Sequence, residues 1–168
     1  MASNYSVNIK CTVPVIEFMV NRYGKQPIEF PKKDRFNTMV SFALQKPPAD
    51  YKGEPSYGKE TLKIMLPFME YKNVDSWNYL SPMAQADIAS KMKAFLKAEF
   101  HSFMDDAKNN GFNQVSACYM FMEQNDISPV AFDMFKRERN RYLQRIRERR
   151  HRHKITSDRR GVCPDAHS

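Results

Sequence analysis

A dense run of cationic side chains lies between residues 136 and 160. It holds twelve Lys and Arg residues against three acids, an excess of nine positive charges, while the other 143 residues sum to −1. Such an excess favours a polyanionic partner, and ten of the twelve cations are arginines, whose planar guanidinium suits phosphate oxygens and guanine edges. The predicted nucleic-acid-binding residues are Lys136, Arg137, Arg139, Arg141, Arg145, Arg147, Arg149, Arg150, Arg152 and Lys154.

This basic run belongs to a predicted helix from Pro129 to about His153, with a serine before the proline as its N-cap. Arg137, Arg141 and Arg145 recur at four-residue spacing and would form one stripe on it. The last three turns have almost no apolar residue to bury, so we expect that end to project from the body or to order on a partner. An acidic protein, a membrane surface and plain solvent are the alternative neighbours of such a helix.

Three histidines and one cysteine near the C-terminus are candidate ligands for a zinc ion. His151, His153, Cys163 and His167 would supply three imidazoles and a thiolate, a set that zinc accepts. Their spacing matches no zinc pattern, and the surrounding cations oppose a metal ion. We therefore predict no metal and no cofactor.

The carboxylates of the body do not form a recognisable catalytic pattern. Asp105 and Asp106 are adjacent, so on a helix they point about 100° apart and do not converge on a metal ion. His101 is the only histidine outside the basic run and the tail, and no nucleophile stands at a fitting spacing from it. The sequence therefore predicts a protein that is not an enzyme.

Aromatic and basic residues are interleaved in and beside the Pro- and Gly-rich segment 45–60. They are Tyr51, Tyr57 and Tyr71 with Lys52, Lys59 and Lys72. Such residues can stack unpaired bases, whereas the favoured interpretation is that the tyrosines anchor a long loop.

The elements that must position these residues fall into two halves. Polar and apolar residues alternate over Tyr5–Val13 and over Thr61–Phe68, and this pattern predicts a strand in each segment. Phe36–Leu44 fits either period and is interpreted as a third strand, while a short helix begins at Pro14 and ends before Gly24. The first half is thus predicted to be a small sheet of about three strands with one short helix.

The second half is predicted to be three helices. The first starts at the Ser81-Pro82 cap and ends near Asn110, and the second covers about Asn113 to Gln124, with Val115, Cys118, Tyr119 and Met122 facing inward. A short turn then leads to the basic helix, so the last two helices have the outline of a helix-turn-helix.

Length and composition fit one α+β domain. The 168 residues are 42% hydrophobic, and we expect one domain over 1–154, with a mixed part at 1–72, a helical part at 81–154 and a tail at 155–168. No apolar run is long enough for a membrane span, and the first ten residues do not resemble a secretory signal. Three scattered cysteines favour a reducing compartment, hence the cytoplasm.

These observations lead to one preferred function and to alternatives. The preferred function is non-enzymatic nucleic-acid binding, with duplex DNA favoured over RNA. A small, basic chain with an Arg-rich terminal helix is also typical of DNA-binding accessory proteins of phages and mobile elements. The first alternative is a structural or assembly protein of a virion or nucleoprotein particle, whose basic helix contacts packaged nucleic acid or an acidic partner. An adaptor that docks a Met-rich apolar surface is a weaker alternative, and a homo-oligomer or an assembly partner is compatible with each.

Overall fold

The computed structural model describes residues 5–53 and 56–160, with side chains through residue 152. The described residues form an α+β chain, as predicted, but with two strands and five α-helices in place of the predicted three strands and four helices. Two short 3-10 turns lie at Gly58–Glu60 and Pro129–Ala131. The elements are β1 (Ser6–Lys10), α1 (Val13–Tyr23), α2 (Arg35–Ala43), β2 (Thr61–Met65), α3 (Pro82–Asn109), α4 (Gln114–Gln124) and α5 (Phe132–Arg160).

The sheet of the described residues has two strands, not three. β1 and β2 pair antiparallel, with Val7 opposite Ile64 and Ile9 opposite Leu62. All four of these side chains are buried, as the alternating sequence pattern requires. A single parallel bridge from Ile28 to Ile64 adds to the edge of the sheet without forming a further strand.

The third predicted strand is wrong, because this segment is helix α2. The Asp34 side chain accepts a hydrogen bond from the Phe36 backbone N–H at 2.7 Å and so caps the helix start. Phe36 and Val40, four residues apart, are buried, whereas Phe42 is 77% exposed. A strand would have placed Phe42 on the same face as Val40, so the helical period was the correct one.

Helix α3 is the centre of the fold. It begins as predicted, with the Ser81 hydroxyl accepting from the Ala84 N–H at 3.3 Å, and Gly111 follows its end with φ of 77°. It packs against β1, α1, α2, α4 and α5. Because one face of α3 contacts elements of both halves, a single hydrophobic core runs through the described residues. The buried residues of that face include Ile88, Met92, Leu96, Phe100 and Met104.

The two C-terminal helices differ from the prediction in the buried residues of α4 and in the end of α5. The buried residues of α4 are Ala117, Cys118, Phe121 and Met122, while Val115 and Tyr119 are largely exposed. Helix α5 continues to Arg160, so the first six residues of the predicted tail are helical, and residues 161–168 lie outside the described part.

A helix-turn-helix is not confirmed by this arrangement. A recognition helix reads bases with its N-terminal residues. In α5 that end instead packs Phe135 between Phe100 and Phe121, with ring centroids 5.0 and 5.6 Å apart, and the arginines lie toward the other end. Any contact of α5 with a partner therefore has to involve its middle or its C-terminal part.

Two cysteines of the described residues, Cys11 and Cys118, are buried free thiols. Burial raises the pKa of Cys11 to about 11, which keeps it protonated and unreactive at neutral pH. Cys163 lies beyond the described residues. Among the helices described, none combines the length and the apolar character needed to cross a membrane.

Candidate nucleic-acid interface

Helices α3 and α5 lie side by side and run in the same direction. Glu138 contacts Lys97 and His101, and one turn further along both helices the Tyr142 hydroxyl donates to Asp105. With Asp105 opposite Tyr142, the end of α3 at residue 109 falls opposite residue 146 of α5. The remaining fourteen residues of α5, 147–160, extend past the end of α3 by about 21 Å at 1.5 Å per residue.

Burial along α5 follows from this alignment. Phe135 is 2% exposed and Glu138 is 5% exposed, whereas Tyr142 and Ile146 are half-buried. Every residue from 147 to 152 is exposed. We call residues 147–160 the basic arm. Its side chains through residue 152 face solvent, in agreement with the lack of apolar residues in its sequence.

A buried carboxylate organises the cations at the base of the arm. Glu138 lies 2.7 Å from Lys97 Nζ and 3.1 Å from His101 Nε2, and it also pairs with Arg141 at 3.9 Å and Arg145 at 3.8 Å. Two members of the predicted arginine stripe are therefore brought together on one carboxylate. We call these five residues the Glu138 cluster.

The sequence reasoning missed the α3 half of this cluster. Lys93, Lys97, His101 and Asp105 recur every four residues along α3, which places them on one face. That face meets Glu138 and Tyr142, which are also four residues apart, and the His101 and Tyr142 rings stack with centroids 4.3 Å apart. The matching four-residue spacing on two helices was the available signal.

The surroundings shift the pKa values of Glu138 and His101. Burial alone would raise the pKa of Glu138, but the hydrogen bond and charge of Lys97, with smaller contributions from His101 and Arg145, outweigh it and lower the pKa. Burial lowers the pKa of His101, and the attraction of Glu138 only partly opposes this. At a pH just below 6.5, where an ordinary histidine gains a proton, His101 therefore stays neutral. Because the ionised carboxylate of Glu138 can only accept a hydrogen bond, neutral His101 donates its Nε2–H to it.

The stability of the fold is expected to decrease in acid in two steps. The pKa of His101 is lower in the folded chain, so the unfolded chain binds that proton more readily, and stability falls as the pH drops below about 6.5. The stability due to Glu138 is lost below about pH 4.5, as the pH falls through its lowered folded pKa. Urea denaturation at pH 7.5 and 5.5 should show a smaller decrease for His101→Gln than for the wild type. An equal decrease would show that His101 does not carry the first step.

The other predicted basic residues occupy two environments. Lys136, Arg147, Arg149, Arg150 and Arg152 are exposed. Arg139 as a whole is half-buried, and its guanidinium donates to the Asn140 side chain at 3.0 and 3.2 Å. The Lys154 side chain lies outside the described part of the chain.

The aromatic residues of the long loop do not form a shared stacking surface with the lysines. Tyr51 packs edge-on against Tyr79, and Tyr57 lies beneath Lys10. Lys72 donates to two carbonyls at the end of α2, at 3.1 and 3.2 Å, and lies 4.9 Å from the Trp77 ring. Of the three tyrosines, Tyr71 is largely exposed, at 73%. Anchoring of the loop describes Tyr51 and Tyr57 better than base stacking does.

The candidate metal and catalytic residues do not converge where they are described. His151 is exposed, the His153 side chain and residues 163 and 167 lie outside the described part, and the described residues contain no group of three or more potential ligands. Asp105 accepts from Tyr142, while Asp106 lines a separate cavity with Phe103. The two adjacent carboxylates thus face different surroundings.

The relation of this chain to known proteins gives no independent indication of function. Comparisons with protein-family models, with curated proteins and with solved structures each find no match.

Proposed function

We propose that this chain is a non-enzymatic protein that binds duplex DNA through the basic arm. The observation that carries the proposal is the exposed stretch 147–152, which places four arginines and one acid on a helix extending about 21 Å past α3. An α-helix with its side chains is 10–12 Å wide, and the major groove of B-DNA is about 12 Å wide. A bare helix end of this kind can enter that groove without steric conflict with the body.

Three arginines of the arm, Arg147, Arg149 and Arg150, form no ion pair within the part of the chain that the structure describes. Glu148, which lies beside them in the sequence, accepts a hydrogen bond from the neutral Gln144 side chain at 3.0 Å. Arg147, Arg149 and Arg150 therefore repel one another along the helix, which disfavours the free arm. Phosphates would remove this repulsion, and the counterions released from DNA would add a favourable, salt-dependent free energy.

Two features favour a duplex over a single strand, and DNA over RNA. Single strands are held largely by aromatic side chains on which bases stack, and residues 147–160 contain no Phe, Tyr or Trp. The nearest aromatic residue on the helix, Tyr142, is occupied by His101 and Asp105. The major groove of an RNA duplex is too deep and narrow for side chains to read, whereas that of DNA admits a helix.

A second candidate function is that of an assembly protein in a nucleoprotein particle or virion. Exposed apolar side chains favour it: Phe112, Val115 and Tyr119 at and near the start of α4, and Val130 in the turn before α5, are each at least 43% exposed. Contiguous patches of exposed apolar side chains mark contacts between proteins. In that role the arm would contact packaged nucleic acid or an acidic neighbour.

The arm's contribution is tested by the salt dependence of binding. Each phosphate that a cation neutralises contributes about −0.9 to the slope of log K against log salt concentration on B-DNA. Replacing Arg147, Arg149 and Arg150 together by Gln should flatten the slope by about 2 to 3 if each meets one phosphate. Fluorescence anisotropy with a labelled duplex over a range of salt concentrations measures it.

The matched control replaces Lys25, Lys32 and Lys33 by Gln. These lysines are exposed and belong to the segment between α1 and α2. Their replacement removes the same charge as the arginine variant does, but from another surface. We expect the control to keep the wild-type slope within about 1. Equal flattening by both triple variants would show that only net charge matters and that the arm is not the site.

A further inference from the structure

A cavity of about 280 Å³ lies where α1, α3 and α5 meet. Val15, Leu96 and Phe100 contribute apolar atoms to its wall. Four cations also line it, two from α3 and two from α5: Lys93, Lys97, Arg137 and Arg141. The cations of α3 and those of α5 thus share one concave surface. The net charge of the sequence does not reveal this surface, because the residues outside 136–160 sum to −1.

The acids at this surface do not balance its cations. Only Asp133 and Glu138 line the cavity with the four cations, and Glu138 is already shared among Lys97, Arg141 and Arg145. Neither Lys93 nor Arg137 has an ion pair within the part of the chain that the structure describes. One buried carboxylate therefore holds several like charges close together, and an additional anion would relieve their repulsion.

The cationic surface is continuous with one side of the arm. At 100° per residue, Arg137, Arg141, Arg145 and Arg152 lie within an 80° sector of α5 that spans about 22 Å along its axis. At the other end, Lys93 also lines a neighbouring cavity of about 430 Å³ together with Lys10. A duplex carries one phosphate charge per about 1.7 Å, so a surface of this length meets many phosphates.

We infer that Lys93 and Lys97 of α3, with Arg137 and Arg141 of α5, form a second phosphate-binding face on the body, which binds the backbone of the same duplex as the basic arm. The inference rests on the proposed function and adds a site that positions the body on the DNA. Phosphate contacts of this kind fix the orientation of a protein on the duplex without reading its sequence.

The test uses the full chain with Lys93→Gln and Arg137→Gln combined. Both side chains are exposed, and neither belongs to the Glu138 cluster, so folding is retained. If each meets one phosphate, the slope of log K against log salt concentration flattens by about 2, and the affinity at 0.1 M salt falls roughly 60-fold. Lys32→Gln with Lys33→Gln is the matched control and should leave the slope within about 1 of the wild type.

The outcomes distinguish this inference from the proposed function. A slope unchanged by Lys93→Gln/Arg137→Gln, while the arginine variant of the arm flattens it, overturns the second face and leaves the arm as the site. A wild-type slope near zero overturns both. Flattening by the Lys93/Arg137 pair and not by the matched control supports the second face, since the two variants carry the same charge change.

Discussion

Removing residues 147–168 lowers the affinity for duplex DNA by a factor on the order of 10³ at 0.1 M salt. The estimate follows from three or four phosphate contacts, each of which contributes about 0.9 to log K for every tenfold reduction of salt below 1 M. The cut is placed after Ile146 because Glu138 and Tyr142 still pack against α3 in the shortened chain. Anisotropy titrations of both chains measure the ratio.

The shortened chain is also expected to remain folded. Residues 147–152 are exposed, so their removal takes no packed side chain from the described core. We expect a circular dichroism spectrum with proportionately less helix and a midpoint of thermal unfolding within a few degrees of the wild type. A folded shortened chain that binds within threefold of the full chain would contradict the assignment of binding to the arm.

Phe135→Ala is expected to cost about 3 to 5 kcal/mol of the free energy of unfolding. Its ring is almost fully buried and packs against Phe100 and Phe121, so that alanine would leave a cavity where α5 joins α3 and α4. Phe42→Ala is the matched control, because that ring is largely exposed, and it should change the free energy by less than about 0.5 kcal/mol. Urea denaturation measures both.

A loss below about 1 kcal/mol for Phe135→Ala would mean that α5 is not anchored through this ring. The arm would then lack the fixed starting point on which its projection past α3 depends. A similar loss for both variants would also contradict the burial of Phe135, since the two substitutions remove the same atoms.

Local signals made much of the fold predictable from sequence. Ser81-Pro82 and Asn110-Gly111 marked the ends of α3, and Gly24 marked the end of α1. Caps, prolines and glycines act over a few residues, so a single sequence contains the whole signal. The excess of arginine in α5 was visible for the same reason.

The spacing of apolar residues alone does not decide the secondary structure of Phe36–Leu44, because it fits both a helix and a strand. The Asp34 cap is the local signal that favours the helix. For Ile28, which meets Ile64 in a single bridge, the pairing depends on a residue far along the chain. Short apolar runs of this kind are decided by tertiary packing.

The arrangement around Glu138 depends on how two helices are aligned. Lys97 and Glu138 are 41 positions apart in sequence, and their contact, together with that of Asp105 and Tyr142, arises because α3 and α5 run side by side in the same direction. The charge of the α5 segment was therefore predictable from the sequence. The sequence did not show which of its cations pair with Glu138 and which lie in the basic arm. The alignment determines which arginines pair with Glu138, and Arg141 and Arg145, which do so, remain exposed.

The salt dependence of duplex DNA binding by the wild-type chain tests the central proposal most directly. About half of the twelve cations between 136 and 160 can face a duplex at once, so the slope of log K against log salt concentration should be about −4 to −6. The measurement is a fluorescence anisotropy titration of a labelled duplex at several salt concentrations. A slope near zero would contradict the proposal, and the assembly function would then take its place.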